Sequence, residues 1–142
     1  MSLEIIRFTF HESSFINKAF DIRRIVFVIE QECPPELEYE NEEICQHYLA
    51  YKNLKEAGTA RWRETEHGVK LERFAVLSEF RHQGIALALV NRLLNDVKPF
   101  NKKIYLHAQL TAMPLYAKAG FKAVGEQFEE AGIQHFKMTY QP

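Results

Sequence analysis

Along most of the chain, apolar positions either alternate with polar ones or recur every three to four residues. The point at which the period changes marks each element. Residues 3–10, LEIIRFTF, are β-rich and predict a first strand, followed by the polar break His11-Glu12-Ser13-Ser14, which suits a helix cap. Phe15, Ala19, Ile22 and Val26 then recur at helical spacing beside Ile16, Phe20 and Phe27. A helix is therefore expected to run to Val28 or Glu30, ahead of Pro34-Pro35, which forbids continuation. Residues 30–43 hold seven glutamates and no basic residue and read as an acidic loop.

CQHYLAYK and AGTARWRET alternate as strands, and Glu66-His67-Gly68 is a hairpin turn into VKLERFAV. Ala86, Val90, Leu93, Leu94 and Val97 form the core-facing stripe of a second helix. KKIYLHAQ predicts the next strand. Thr111 is a candidate cap for the helix AMPLYAKA, with Pro114 in its first turn and Gly120 just past its end. Strands at about 122–128 and 135–140, joined at Ala131-Gly132, complete the order β-α-β-β-β-α-β-α-β-β. The expected class is α/β of the α+β type, a mixed and mostly antiparallel sheet with one parallel crossover.

Length and composition narrow the partners more than the fold. The 142 residues suit one domain, 1–142, without repeat or linker, and 46% apolar with 26% charged residues is the profile of a folded chain. A net charge of −1 gives no reason to expect nucleic acid or a membrane surface as partner. No apolar run reaches the roughly 20 residues of a membrane span, and the first residues lack the pattern of a secretory leader. Cys33 and Cys45 have neither metal-ligand nor disulfide-framework spacing. A cytoplasmic protein with free thiols and no metal is expected.

The chemistry begins at RHQGIALALVNRLL, residues 81–94, where a strand hands over to a helix through a single glycine. The first turn of a helix leaves backbone N–H groups unpaired at the positive end of the dipole, and a glycine there lets an anion approach them. Gln83, Gly84, Ile85, Ala86 and Leu87 are natural donors to a phosphate, with Arg81 and His82 at the mouth. A plain turn would use the same glycine. Neither a nucleoside-triphosphate P-loop nor a dinucleotide Gly-x-Gly-x-x-Gly is present.

FAVLSEFRHQGIALALVNRLL resembles the signature of the GCN5-related N-acetyltransferases (GNAT), with Arg81, Gly84 and Ala86 on its Arg/Gln-x-x-Gly-x-Gly/Ala pattern. PLYAKAGFKAVGE is similar to the family's second signature. RRIVFVIEQECP, QHYLA, GTARWR and EEAGIQHFKM resemble its small ElaA-like branch, so the likeness spans nearly the whole chain. The resemblance implies transfer of an acetyl group from acetyl-coenzyme A, as co-substrate, to an amine in a ternary complex. It implies that the pyrophosphate rests on the 81–86 turn. The pantetheine arm would pair with Phe74, Ala75 and Val76 where that strand splays from the one at 103–109. A backbone N–H near Val76 would polarise the thioester carbonyl.

Tyr116 matches the family's tyrosine and is the expected general acid. A base is less determined: Glu72, acting through water, and the imidazoles of His135 and His47 are candidates, each with a structural alternative as an ion-paired carboxylate or a satisfied histidine. Glu30, Cys33 and His47 match the branch and are expected at the acceptor side, where a glutamate-rich wall would attract a cationic amine. His107 and His67 have weaker claims. Arg61 and Arg63 face either an acceptor carboxylate or solvent. A non-catalytic acyl-coenzyme A sensor of the same fold is the alternative, and the aromatic ending HFKMTY leaves pairing of two copies as a homodimer open.

Overall fold

The computed structural model describes residues 2–35 and 39–142. Strands β1 (Leu3–Thr9), β2 (Gln46–Lys52), β3 (Lys55–Thr65), β4 (Gly68–Val76), β5 (Ile104–Gln109), β6 (Phe121–Glu130) and β7 (Ile133–Tyr140) form one sheet. Their spatial order is β1-β2-β3-β4-β5-β7-β6. All neighbours are antiparallel except β4 and β5. The parallel pair comes from the crossover through helix α2 (Ile85–Val97), as short connections cannot return a chain in the same direction.

One face of the sheet buries Val69, Leu71 and Leu106 under α2 and the short helix α3 (Met113–Lys118), with Leu89, Leu93 and Leu94 at the centre. The other face buries Phe8, Leu49 and Ala75 under helix α1 (Ser13–Arg23), through Ile16, Ala19 and Ile22. Polar ties hold α2 to the sheet. The Tyr48 hydroxyl donates to Asp96 at 2.6 Å while accepting from Trp62 Nε1 at 2.9 Å, and Arg92 donates to the Ile5 carbonyl at 2.9 Å. Among the described residues, no helix is long and apolar enough to cross a membrane.

Three details depart from the sequence pattern. The first helix does extend to Glu30, but its last seven residues, Arg24–Glu30, widen into a π-helix, with the Gln31 N–H donating to the Val26 carbonyl. The β-branched run Ile25, Val26, Val28 and Ile29 crowds an α-helical turn, and the wider turn relieves it. Thr111 does not cap α3: it sits in a 3-10 turn and Ala112 holds the cap position, with no side-chain bond. β7, which carries HFKMTY, is paired on both sides, and the sheet edges are β1 and β6.

The parallel seam positions the site. β4 and β5 are paired only at Val69↔Ile104 and Lys70↔Tyr105. Beyond that point β4 continues to Val76 and β5 to Gln109 with a gap between them. β4 also carries a bulge at Arg73 (φ +58°), where its register against β3 jumps from Arg61↔Glu72 to Thr59↔Ala75. The extra residue reverses side-chain parity. Leu71 and Phe74 therefore both face α2, while Glu72 and Ala75 both face α1.

Candidate active site

The gap between β4 and β5 opens into a cleft of about 1080 Å³ that reaches from the start of α2 to the β6–β7 turn. At its β4 wall the main chain is free to bond a guest. The Leu77 N–H goes to the Ala57 carbonyl on β3. Strand alternation then turns the N–H and C=O of Val76 and Phe74 toward the gap and those of Ala75 toward β3. The Val76 carbonyl accepts from Arg81 Nε at 2.9 Å.

At the mouth, His82 and Gly84 both take left-handed backbone, φ +63° and +81°, and Gly84 is the exposed cap of α2 with no side-chain bond to the first turn. A Cβ on Gly84 would meet nothing within 4 Å. Space is thus open before the unpaired amides of Ile85, Ala86 and Leu87, which is what an anion needs. Arg81 Nη2 is held by Glu30, at 2.9 and 3.1 Å, so the guanidinium is aimed by a carboxylate from the end of the π-helix. Across the gap the next residue, Gln31, accepts from Gln109 of β5 at 3.0 Å.

Tyr116 of α3 stands 5.6 Å, ring to ring, from Phe74 and 6.3 Å from Phe121, and it lines the cleft. Among the described residues its hydroxyl has no protein hydrogen-bond partner. Burial pushes its pKa well above the ordinary phenol range, so it stays protonated at neutral pH.

The α1-side wall is a lattice of charge. Glu42 accepts from Arg23 through both oxygens, at 2.9 and 2.8 Å, and from Arg61 at 2.7 Å. Arg61 Nε also donates to Glu72 at 2.7 Å, and Arg63 reaches the same oxygen at 3.2 Å, with Lys70 at 3.4 Å from the other. Burial alone would raise the Glu72 pKa, but Arg61, Lys70, Arg73 and Arg63 reverse the sign and hold it at about 2. Because the folded value lies below the free value of 4.5, the stabilisation is complete above pH 4.5 and fades as pH falls toward 2. That shift corresponds to about 3 kcal/mol.

Urea unfolding across this pH range is expected to show E72Q about 3 kcal/mol less stable than wild type at pH 7, since arginines are left without their carboxylate. The difference should shrink below pH 4.5. Wild type and E72Q falling in parallel with pH would remove Glu72 from this account.

Opposite, on β5, β6 and β7, Glu130 gathers two imidazoles. Its Oε1 lies 3.3 Å from His107 Nδ1 and its Oε2 lies 3.7 Å from His135 Nε2. His135 Nδ1 is 2.7 Å from the Ile133 carbonyl, which can only accept, so this nitrogen carries the proton. Phe128 stacks on His135 at 5.8 Å and meets His107 edge-on at 5.0 Å.

Most residues singled out by sequence meet in this one cleft. Tyr116, Glu72, His135, Phe74, Ala75, Val76, Arg81, His82, Gly84, Ile85, Ala86, Leu87, Glu30 and Cys33 all line it. Two do not. Gln83 bends its amide back to the Glu79 carbonyl at 3.3 Å. His47 is buried behind the wall, its Nε2 2.9 Å from the Glu42 carbonyl and its ring on Phe8, and burial lowers its pKa. Of the acidic loop, Glu30 and Glu40 reach the cleft, whereas Glu36 and Glu38 lie outside the described residues. Cys45 is buried and its thiol is pushed up to about 11. Among the described residues, no three His, Cys, Asp or Glu side chains group as a metal site requires.

The sequence reading missed Lys70, Arg73, Gln109 and Glu130 as cleft residues. Alternation puts Lys70 and Gln109 on the face opposite Val69 and Ala108 but carries no sign that this face borders a cleft.

The comparisons with known proteins agree with this geometry. The model of the acetyltransferase (GNAT) domain matches residues 25–142. A Bacillus subtilis protein named "Putative acetyltransferase BSU40680" is 38% identical over 131 residues, which cover 89% of each chain. The crystal structure of Escherichia coli ElaA superposes with a TM-score of 0.87 at 26% identity, covering 97% of this chain and 99% of that one. An acyl-CoA N-acyltransferase from Pseudomonas aeruginosa superposes with a TM-score of 0.81, also at 26% identity, over 97% and 99% of the two chains. With the splayed β4–β5 pair, the glycine cap of α2 and the tyrosine of α3 in place, the chain belongs to the GNAT acetyltransferases and fits their ElaA-like branch.

Proposed function

We propose that residues 1–142 act as one catalytic domain, an acetyl-coenzyme A-dependent N-acetyltransferase that acetylates a primary amine of a small molecule or an exposed amino group. The observation that carries this reading is the β4–β5 gap, whose mouth presents the bare amides of α2 and whose interior holds a protonated Tyr116 hydroxyl without a partner among the described residues. The dimensions and donors fit the co-substrate: the main-chain groups of Phe74 and the Val76 N–H for an amide-rich arm, and open space over Gly84 for a pyrophosphate. Bound there, acetyl-coenzyme A supplies an activated acetyl thioester.

Each remaining role falls to a residue of the chain. The Val76 N–H is turned into the gap, where it can steady charge on the thioester oxygen. Tyr116 gives its proton to the departing sulfur. His135 is the better placed base, because its Nδ1–H is committed to Ile133 and leaves Nε2 to take the proton of the incoming ammonium. A carboxyl held at about 2 is a poor acceptor for such a proton, so this reading gives Glu72 the task of ordering the arginines of the wall. Glu30 and Cys33 stand on the same wall, Glu30 aiming Arg81.

Calorimetric titration with acetyl-coenzyme A, with dephospho-coenzyme A and ATP as controls, tests the first step. Micromolar binding with preference over ATP is expected. In G84V, which is strained at φ +81° and hangs a side chain over the amides, binding should weaken by about tenfold or more. Equal heats from wild type and G84V would reduce the turn to a plain connection. An amine library screened for thiol release then names the acceptor.

A further inference from the structure

The wall of the cleft formed by β5, β6 and β7 holds a carboxylate that the mechanism above does not use. Glu130, at the end of β6, faces Lys70 from β4, His107 from β5 and His135 from β7, with the ring of Phe128 wedged against both imidazoles. The hydrogen bond from His107 outweighs partial burial and, with Lys70 and the two imidazoles, holds Glu130 below the usual carboxylate range. The group is therefore an anion at neutral pH.

We propose that Glu130 is a positioning residue of the acceptor site, holding the two imidazoles in place and supplying the counter-charge that makes His135 Nε2 a competent proton acceptor. The argument is geometric. His135 is pinned at one nitrogen by the Ile133 carbonyl and across its face by Phe128, so its other nitrogen has a fixed direction. At 3.7 Å, Glu130 Oε2 is beyond hydrogen-bond range of a neutral ring but close enough to attract a protonated one. When a proton moves from an ammonium nitrogen to Nε2, the new positive charge lands beside this carboxylate. The electrons of the broken N–H bond stay on nitrogen as the lone pair that attacks. Glu130 is anchored for the task at its other oxygen by His107, which keeps Oε2 turned toward His135.

The inference rests on the acetyltransferase reading for its consequence but not for its test. Ring signals of His135 in the full-length chain, labelled at histidine and assigned with H135Q, report proton binding without any substrate. In E130Q, His135 is expected to hold its proton roughly threefold to tenfold more weakly, the range reflecting a carboxylate that is partly open to solvent. E130D, which keeps the charge on a shorter arm, should fall between. With an amine that is turned over, the acidic limb of kcat/KM should move to lower pH in E130Q by the same factor, while KM for acetyl-coenzyme A stays put.

A His135 titration unchanged in E130Q overturns the proposal, whatever happens to thermal stability. So does a ring that responds while the acidic limb stays fixed, because the base would then lie elsewhere. If no amine is ever acetylated, the acetyltransferase reading fails on that ground, and the ring titration still decides the pairing of Glu130 with His135.

Discussion

Replacing Tyr116 by phenylalanine is expected to lower kcat by about 100- to 1000-fold while the affinity for acetyl-coenzyme A changes little. The ring keeps its edge-on contacts with Phe74 and Phe121, so the aromatic cluster under the cleft survives the loss of one oxygen. The hydroxyl makes no bond within the described chain, so its removal strands no donor or acceptor. What disappears is a proton held in an apolar setting beside the gap, and burial keeps that proton on the phenol at neutral pH. Steady-state rates and calorimetry on the same preparation separate the two quantities. Turnover unchanged in Y116F would end the role of Tyr116 as acid. Binding without turnover in wild type would favour the non-catalytic sensor.

Gly68→Ala should be the most damaging single-methyl change in the protein, at about 4 kcal/mol, a fall in Tm of 10 °C or more. Gly68 has φ +129°, a conformation closed to alanine, and an added Cβ would overlap the carbonyl oxygen of Lys103. That carbonyl accepts the Val69 N–H at 2.8 Å at the only place where β4 and β5 are zipped together. Pushing Lys103 away therefore attacks the hinge of the gap as well as the local turn. Thermal unfolding of G68A beside G132A gives the comparison, since Gly132 also has positive φ but open space around it. Equal losses would mean that backbone strain, not the crowded seam, sets the cost.

Much of this was legible in the sequence because the elements that carry the site obey simple periods. In the α2 stripe Val90, Leu93, Leu94 and Val97 and the glycine before them fall where the structure has them, whereas Ala86 lines the cleft and Ile85 and Leu89 complete the buried face. The bulge was also written there. In VKLERFAV the large apolar positions 69, 71, 74 and 76 are spaced two, three and two apart, and the odd step is the extra residue at Arg73. What could not be read was pairing between distant segments. His47, Glu72 and His135 are all polar residues within strands, and alternation assigns each a face but not a neighbour. β2 turns His47 under the Glu42 carbonyl, β3 supplies the arginines that occupy Glu72, and the β6–β7 hairpin brings Glu130 to His135. The π-helical ending of the first helix was hidden for a related reason, because it depends on crowding between β-branched neighbours more than on which face is apolar.

The two polar ties at the end of the π-helix, Arg81–Glu30 and Gln31–Gln109, respond to different solution conditions. Arg81–Glu30 is an ion pair partly open to water, so rising ionic strength weakens it. Gln31–Gln109 joins neutral amides, which neither salt nor pH within the physiological range discharges. Rising salt therefore weakens the Arg81–Glu30 pair at the mouth of the cleft and leaves the Gln31–Gln109 bond beside it in place.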